Sequence, residues 1–278
     1  MIEQALTAAE VARLNTEIDR AAALQGGLKE YPRRLSGQSA DGGRTPLAGD
    51  TAMDPLGRPE GRHRLDLGGM LAWEQPHCEP FRELLCHASV KPYLDGVLGD
   101  AYRLDHGPGL IAMEPGTEGG TLHHGSGDMD DLSFAYTFTR SGKIRTGLTV
   151  AEYLLADEGP GDGGFAIVVG SHKANLPMPR SLSLMADHTH AVTEVCGKAG
   201  DCIVFTETCS HGTLPWRGKH QRRALLYKFS PGHASFGTGP HSIEYPPWIR
   251  SMKPEQAAVM IAPYGAGARK ELPATPKL

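Results

Sequence analysis

Residues 148–169 read LTVAEYLLADEGPGDGGFAIVV. Two runs of β-branched and aromatic residues, 148–155 and 165–169, flank a segment rich in glycine and acidic residues. Short apolar runs bounded by turn residues predict β-strands. The stretch is typical of the chain after Asp100, and it sets the expectation for the fold.

The same pattern recurs along the rest of this region. Further short runs of β-branched and aromatic residues lie at 102–104, 109–113, 134–139, 192–195, 201–205 and 224–229. Seven or eight short strands at this spacing predict a sandwich or a barrel. We therefore expect a mainly β fold with flanking α-helices packed outside it.

The N-terminal part of the chain has helical periodicity instead. Residues 7–10 have the pattern of a capping box, and the apolar residues that follow recur on one helical face, which predicts a helix from about Ala8 to Leu24. A second apolar stripe predicts a helical tract at about 80–98, broken or kinked at Lys91-Pro92. Residues 26–59 and 265–278 are rich in Gly and Pro and predict irregular structure.

Length and composition place the chain in a broad class. With 278 residues, 40% of them hydrophobic, it predicts one domain over 1–278: helices at about 8–98, a barrel core at about 100–233 and an extension at 234–278. A net charge of -4 argues against polymeric nucleic acid and anionic membranes as partners. The five cysteines are odd in number and lack Cys-x-x-Cys spacing, which favours free thiols in a cytoplasmic protein. We expect neither an export signal nor a membrane span, and the sequence predicts no particular oligomeric state.

Two histidines are candidate metal ligands. His123 follows a glycine turn and His211 follows the run at 201–205, so we expect both to lie just past or between strands. Strands distant in sequence become neighbours in a barrel, which would let the two imidazoles converge. Two histidines and a carboxylate form the ligand triad of non-haem Fe(II) oxygenases. Because the chain has thirteen histidines, a surface or hydrogen-bonded role is the ordinary alternative for each.

The motifs around these histidines resemble a known family. Residues 163–173 contain Gly-Gly followed by Gly-Ser-His-Lys, residues 200–205 form a Gly-Asp strand, and His211-Gly-Thr precedes Arg222-Arg223-Ala-Leu. In this order the motifs resemble the phytanoyl-CoA dioxygenase family, with Val169 in place of the usual proline.

The resemblance implies a fold and a cofactor set. It implies a double-stranded β-helix, a cupin-like jelly roll, that binds Fe(II) and 2-oxoglutarate and uses O2. His123 and His211 match the histidine ligands, and Arg222 and Thr213 match the groups that hold the distal carboxylate of 2-oxoglutarate. Arg223 competes with Arg222, because consecutive strand residues face opposite sides and only one can point into the barrel.

The chain departs from the family at Gly125. Oxygenases of the family carry Asp or Glu two residues after the first histidine, and a register starting from His124 would place Ser126 there instead. Halogenases of the superfamily have Gly or Ala at this position, where chloride binds iron. The sequence therefore favours a halogenase that chlorinates an unactivated aliphatic C–H bond, with Gly125 marking the halide site and chloride as a further cofactor.

Two alternatives stay open. The first is an Fe(II)/2-oxoglutarate-dependent hydroxylase whose carboxylate ligand comes from elsewhere, with Asp128, Asp130 and Asp131 as candidates. The second is a metal-free binding protein on the same fold, against which the joint presence of the two histidines and the arginine argues.

A free small molecule from secondary-metabolite biosynthesis is the expected substrate. The His-His-Gly motif and the length resemble the nucleotide chlorinases of purine-nucleoside antibiotic pathways, which implies a deoxyadenosine nucleotide. Arg33, Arg34 and Lys173 are candidates to bind its phosphate, with solvated surface charge as the alternative. Glu152 interrupts an apolar strand. It either points to solvent, the favoured interpretation, or lines the barrel, where it would orient a substrate amine or hydroxyl or serve as an unusual iron ligand.

Overall fold

A computed structural model describes residues 1–30, 64–124, 136–174, 178–236 and 247–263. Within these residues the chain is mainly β, with antiparallel sheets and a few helices, as the sequence predicts. None of the helices in these ranges is long and apolar enough to cross a membrane. The five cysteines are free thiols, as expected.

Two antiparallel sheets contain most of the strands. The larger has the order β1 (Lys29–Glu30), β2 (Leu65–Gly68), β3 (Arg103–Met113), β12 (Arg222–Ser230), β7 (Thr149–Leu154) and β10 (Cys202–Thr206). The smaller has the order β4 (Gly120–His123), β11 (His211–Leu214), β8 (Gly164–Val168) and β9 (Val192–Glu194). A separate hairpin pairs β5 (Thr137–Phe138) with β6 (Ile144–Arg145).

The first helix forms as its sequence predicts. Helix α1 covers Ala8–Leu24 and has a complete capping box, in which the Thr7 side chain accepts from the backbone N–H of Glu10 and the Glu10 carboxylate accepts from that of Thr7. These two bonds satisfy N–H groups that the helix itself leaves without partners. The apolar face buries Val11, Leu14 and Ile18.

The predicted tract at 80–98 is instead two helices. Helix α2 (Glu79–Glu83) continues into a short 3₁₀ turn, and α3 begins at Lys91 and ends at Leu98. Pro92 lies in the first turn of α3, where its missing N–H removes no helical hydrogen bond. The break therefore precedes the Lys91-Pro92 pair. Two further short helices are α4 (Arg180–Ser183) and α5 (Pro254–Val259).

Strand β12 separates the apolar core from a cavity. Leu225, Tyr227 and Phe229 are fully buried in the main apolar cluster, whereas Arg222 and Lys228 face the cavity, because side chains alternate along a strand. The Tyr227 hydroxyl donates to the backbone carbonyl of Phe81 at 2.7 Å. Burial of the tyrosine ring therefore leaves its hydroxyl satisfied and fixes the helical segment against the sheet.

Several strand predictions need correction. The runs at 102–104 and 109–113 form one strand, β3, which continues through Gly107-Pro108-Gly109 although these residues are typical of turns. Strands β2, β4 and β11 were not predicted, because Gly and His interrupt their alternation. As a result His123 and His211, expected outside strands, lie within β4 and β11. The irregular segments predicted at 26–59 and 265–278 fall almost wholly outside the described residues.

Two glycines allow β8 to approach the cavity. Gly163 has φ +90°, and a Cβ there would overlap the carbonyl oxygen of Pro215. Gly164 has φ +83°, and a Cβ there would lie 2.5 Å from Glu158 Oε2 and 2.8 Å from Arg222 Nε. Both positions therefore require glycine, for backbone conformation and for space.

We expect Gly163→Ala to destabilise the fold more than Gly142→Ala. Both residues have positive φ, so each alanine incurs a strain of about 1–2 kcal/mol, but Gly142 has nothing within 4 Å of its added Cβ. Urea denaturation should give a loss of unfolding free energy at least twice as large for the first variant. Equal losses would show that the contact with Pro215 relaxes freely.

Candidate metal centre and active-site cavity

A cavity of about 420 Å³ is lined by strands of both sheets. Its polar lining residues are Arg64, Asp66, His106, His123, Glu152, Glu207, His211, Thr213, Arg222 and Lys228. Ionisable groups concentrated in one cavity are the usual mark of a functional site.

His123 and His211 are direct cross-strand neighbours on β4 and β11. Their ring centroids lie 4.3 Å apart. Nδ1 of His211 donates to the carbonyl oxygen of Cys209 at 2.7 Å, and Nδ1 of His123 donates to that of Thr121 at 3.2 Å. A carbonyl can only accept, so the proton lies on Nδ1 and the Nε2 lone pair is left for a metal.

Glu207 supplies a carboxylate beside the two histidines. It lies in the turn between β10 and β11, with Oε2 3.8 Å from Nε2 of His211. One ligand atom from each of His123, Glu207 and His211 can be chosen so that all three lie within 4.8 Å of one another. Among the described residues this is the group of His, Cys, Asp and Glu that could hold a metal ion.

The sequence interpretation missed Glu207, because it looked for a carboxylate in the loop after His123 and, as an unusual iron ligand, at Glu152. The available signal was an acidic residue two positions after the run at 201–205 and four positions before His211. Gly125, Ser126, Asp128, Asp130 and Asp131 lie outside the described residues, so the predicted halide site and acidic loop stay predictions.

Lys228 holds the other oxygen of this carboxylate. Its Nζ lies 2.7 Å from Glu207 Oε1. Burial acts to raise the pKa of Glu207, but the Lys228 ammonium, followed by His211, outweighs it and lowers that pKa to about 2. The carboxylate is therefore ionised, with Oε1 fixed by lysine and Oε2 directed at the histidines.

The histidines are held in their metal-binding form. Burial lowers the pKa of His211 to about 4, and the neighbouring His123 adds to this effect. Burial also lowers the pKa of His123. Neutral imidazoles and an ionised carboxylate are the protonation states that metal coordination requires. Two nitrogen donors and one oxygen donor fit Fe(II), so the residues present suit the ion that the resemblance implies.

Of the neighbouring pair Arg222 and Arg223, Arg222 faces the cavity. Its side chain is 1% exposed, and it donates from Nη2 to Glu152 Oε1 at 2.8 Å and lies with Nε 2.9 Å from Glu158 Oε1. Arg223 points the opposite way and pairs with Asn15 and Asp19 of α1. Thr213 lines the same cavity as Arg222. The structure thus separates the two arginines that the sequence left as competitors.

Glu152 does not point to solvent, and the favoured interpretation of this residue was wrong. It is 1% exposed because β7 lies between β12 and β10 in the larger sheet and its side chain enters the cavity. Its Oε2 is buried and has no hydrogen-bond partner among the described residues. An orphaned acceptor in a cavity needs a hydrogen-bond donor, so the site fits either a polar ligand that donates to Glu152 or a Glu152 that carries a proton itself.

Of the three residues proposed for phosphate binding, only Lys173 is among the described residues. Lys173 is exposed in a 3₁₀ turn after β8 and does not line the cavity. The exposed position of Lys173 agrees with solvated surface charge. Arg33 and Arg34 lie outside the described residues.

The chain matches a protein-family model over most of its length. The model for phytanoyl-CoA dioxygenase (PhyH) matches residues 1–224. The chain belongs to this family. No curated protein sequence matches the chain.

Solved structures share the fold at low identity. HygX from Streptomyces hygroscopicus, solved with nickel, 2-oxoglutarate and hygromycin B bound, is 20% identical with a TM-score of 0.61, covering 84% of this chain and 83% of HygX. AviO1 from Streptomyces viridochromogenes Tue57 is 16% identical with a TM-score of 0.52, covering 81% and 86%. SnoN, a non-heme alpha-ketoglutarate-dependent epimerase from nogalamycin biosynthesis, is 17% identical with a TM-score of 0.52, covering 86% and 85%. The predicted jelly-roll fold is confirmed.

We expect Glu207→Gln and His211→Asn each to weaken binding of a divalent metal at least tenfold, because each removes a donor of the cluster. His190→Gln, a change at an exposed histidine away from the cavity, should leave the affinity unchanged. Competition with a chromophoric chelator measures the three affinities. An unaltered affinity in Glu207→Gln would remove this residue from the ligand set.

Proposed function

We propose that the protein is an Fe(II)/2-oxoglutarate-dependent oxygenase that hydroxylates a small molecule, with His123, Glu207 and His211 as the metal ligands. The supporting observation is the carboxylate of Glu207 beside the two histidines. It would supply, from the turn between β10 and β11, the anionic ligand that Gly125 lacks. Hydroxylation therefore replaces chlorination as our first candidate.

The bound iron, with 2-oxoglutarate and O2, would supply the oxidation of an aliphatic C–H bond. The protein's own contribution is positioning. Carbonyls fix both imidazoles, Lys228 fixes Glu207, and Arg222 with Thr213 offers a cationic and hydroxylic site for the distal carboxylate. Phe165 and Phe205 line the cavity around His211 and reduce the access of water.

The substrate that we propose is a polar, soluble small molecule. One side of the cavity carries Arg64, Asp66, His106 and Lys228, whose side chains are 29%, 29%, 43% and 32% exposed. Groups of both signs at a partly open wall suit a substrate with several hydroxyl or amino groups, or a phosphate. HygX with hygromycin B and SnoN with nogalamycin RO provide parallels on the same fold. A deoxyadenosine nucleotide stays within this class.

Halogenation is the second candidate, and Gly125 is the observation that favours it. Chloride would need the coordination position that Glu207 otherwise fills. Glu207 would then serve as the partner of Lys228 and not as a ligand. The two candidates differ in the atom delivered to the substrate.

The test is anaerobic loading with Fe(II), 2-oxoglutarate and chloride, followed by O2 and a panel of polar natural products and deoxynucleotides. We expect the wild-type product to gain one oxygen atom, and Glu207→Ala to lose both this product and the succinate formed with it. Mass spectrometry identifies the product. A product in which chlorine replaces hydrogen would contradict the first candidate and support the second, and Gly125→Asp should then abolish chlorination.

The two arginines provide a matched pair for the co-substrate. Arg222→Lys keeps the charge but loses the planar fork, so we expect the dissociation constant for 2-oxoglutarate to rise by about tenfold or more. Arg223→Lys changes a residue that faces α1, and it should bind 2-oxoglutarate as the wild type does. Calorimetry on the nickel-loaded proteins measures both constants. Equal effects would place the co-substrate elsewhere.

A further inference from the structure

The buried charges around Arg222 do not balance. One guanidinium lies between two carboxylates, those of Glu152 and Glu158. All three side chains are at most 2% exposed, so water compensates little of the excess negative charge. A buried net charge is unfavourable, and a carboxyl group can relieve it by taking up a proton.

The two carboxylates have different positions. Glu158 follows β7 and is not among the residues that line the cavity, so a ligand in the cavity does not reach it. Burial raises the pKa of Glu158 too, while the Arg222 guanidinium opposes the rise. Glu152 lines the cavity, and only its Oε1 is engaged by Arg222. Its Oε2 is buried and without a partner among the described residues. The excess carboxylate is therefore the one that a ligand can reach.

We propose that Glu152 is a co-substrate-binding residue that becomes protonated on Oε2 and donates a hydrogen bond from it to the distal carboxylate of 2-oxoglutarate, beside the Arg222 guanidinium. The proton comes from solvent and stays on Oε2 while the co-substrate is bound. This inference rests on the proposed function, because it takes the cavity to be the 2-oxoglutarate site.

Electrostatics supports this role. An incoming carboxylate adds a negative charge to a cluster that already has one in excess. Protonation of Glu152 takes one of these two excess charges away, removes the repulsion between Glu152 and the ligand carboxylate, and creates a donor. Burial raises the pKa of Glu152 to about 7, with Arg222 opposing the rise and Glu158 adding to it. The distal carboxylate of bound 2-oxoglutarate would raise the pKa of Glu152 further, as Glu158 does. Glu152 therefore holds its proton more tightly in the complex than in the free protein.

Other charged and titratable groups around Glu152 could also affect the pH dependence of 2-oxoglutarate binding. They are Arg222 on β12, Glu158 after β7, Cys202 on β10 and, around the same cavity, Arg64, Asp66, His106, His123, Glu207, His211 and Lys228. Burial raises the pKa of the Cys202 thiol, which is therefore neutral. With metal bound before the titration, the three ligand residues do not change protonation when 2-oxoglutarate is added.

The experiment is calorimetric binding of 2-oxoglutarate to the nickel-loaded, full-length protein without O2, in buffers of different ionisation enthalpy between pH 6 and 8.5. We expect the wild type to take up close to one proton per 2-oxoglutarate at pH 8, and its dissociation constant to rise up to tenfold per pH unit above about 7. Glu152→Gln keeps a neutral donor at this position, so it should bind with no proton uptake and no such pH dependence.

Controls separate the possible failures. 2-Oxobutyrate lacks the distal carboxylate, so the wild type should bind it without proton uptake, and thermal melting checks that Glu152→Gln is folded. Binding of 2-oxoglutarate to the wild type without proton uptake, or with the same uptake in Glu152→Gln, overturns the role of Glu152 alone. Absence of binding to the nickel-loaded wild type overturns the proposed function together with this inference.

Discussion

The burial of one positive charge organises the cavity. Arg222 has no access to water, so its charge must be compensated inside the protein, and removing a partner from a buried ion pair costs about 3–5 kcal/mol. The compensation comes from Glu152 on a neighbouring strand and from Glu158 in the loop beyond it. The close approach of Gly164 to this pair explains why β8 begins with a glycine at positive φ.

Strand β12, which carries Arg222, also organises the candidate metal site through a second ion pair. Arg222 and Lys228 lie on the cavity face of β12, and each engages a carboxylate from elsewhere in the chain. The opposite face carries Tyr227 and Phe229 into the apolar core. The alternation of one strand thus fixes two cations in a cavity while it stabilises the fold from behind.

The sequence predicts what depends on local pattern. The capping box and periodicity of α1, most strands after Asp100 and the positions of His123, His211 and Arg222 follow from motifs that are short in sequence. Glu207 could not be found in this way, because the rule that ties the carboxylate to the first histidine is a family convention and not a physical requirement. Coordination requires only that three donors meet in space.

The sequence also did not predict which polar residues are buried. Glu152 stands among apolar residues, and alternation alone does not tell whether a strand is covered on one face or on both. The central position of β7, between β12 and β10, decides this, and it depends on pairings between residues about 50 and 70 positions apart. Those pairings also place Arg222 beside Glu152, and the guanidinium compensates the charge of the buried carboxylate.

Glu207 and His211 lie within one five-residue segment at the start of β11, and of the three grouped residues only His123 comes from a distant part of the chain. In an enzyme that uses these ligands, one short segment chelates the ion and a single further bond ties it to β4. Metal binding then acts as a cross-link between two strands of the smaller sheet. Because this segment would supply the carboxylate, coordination itself would require no acidic side chain at position 125, and a glycine there would cost the metal site no ligand.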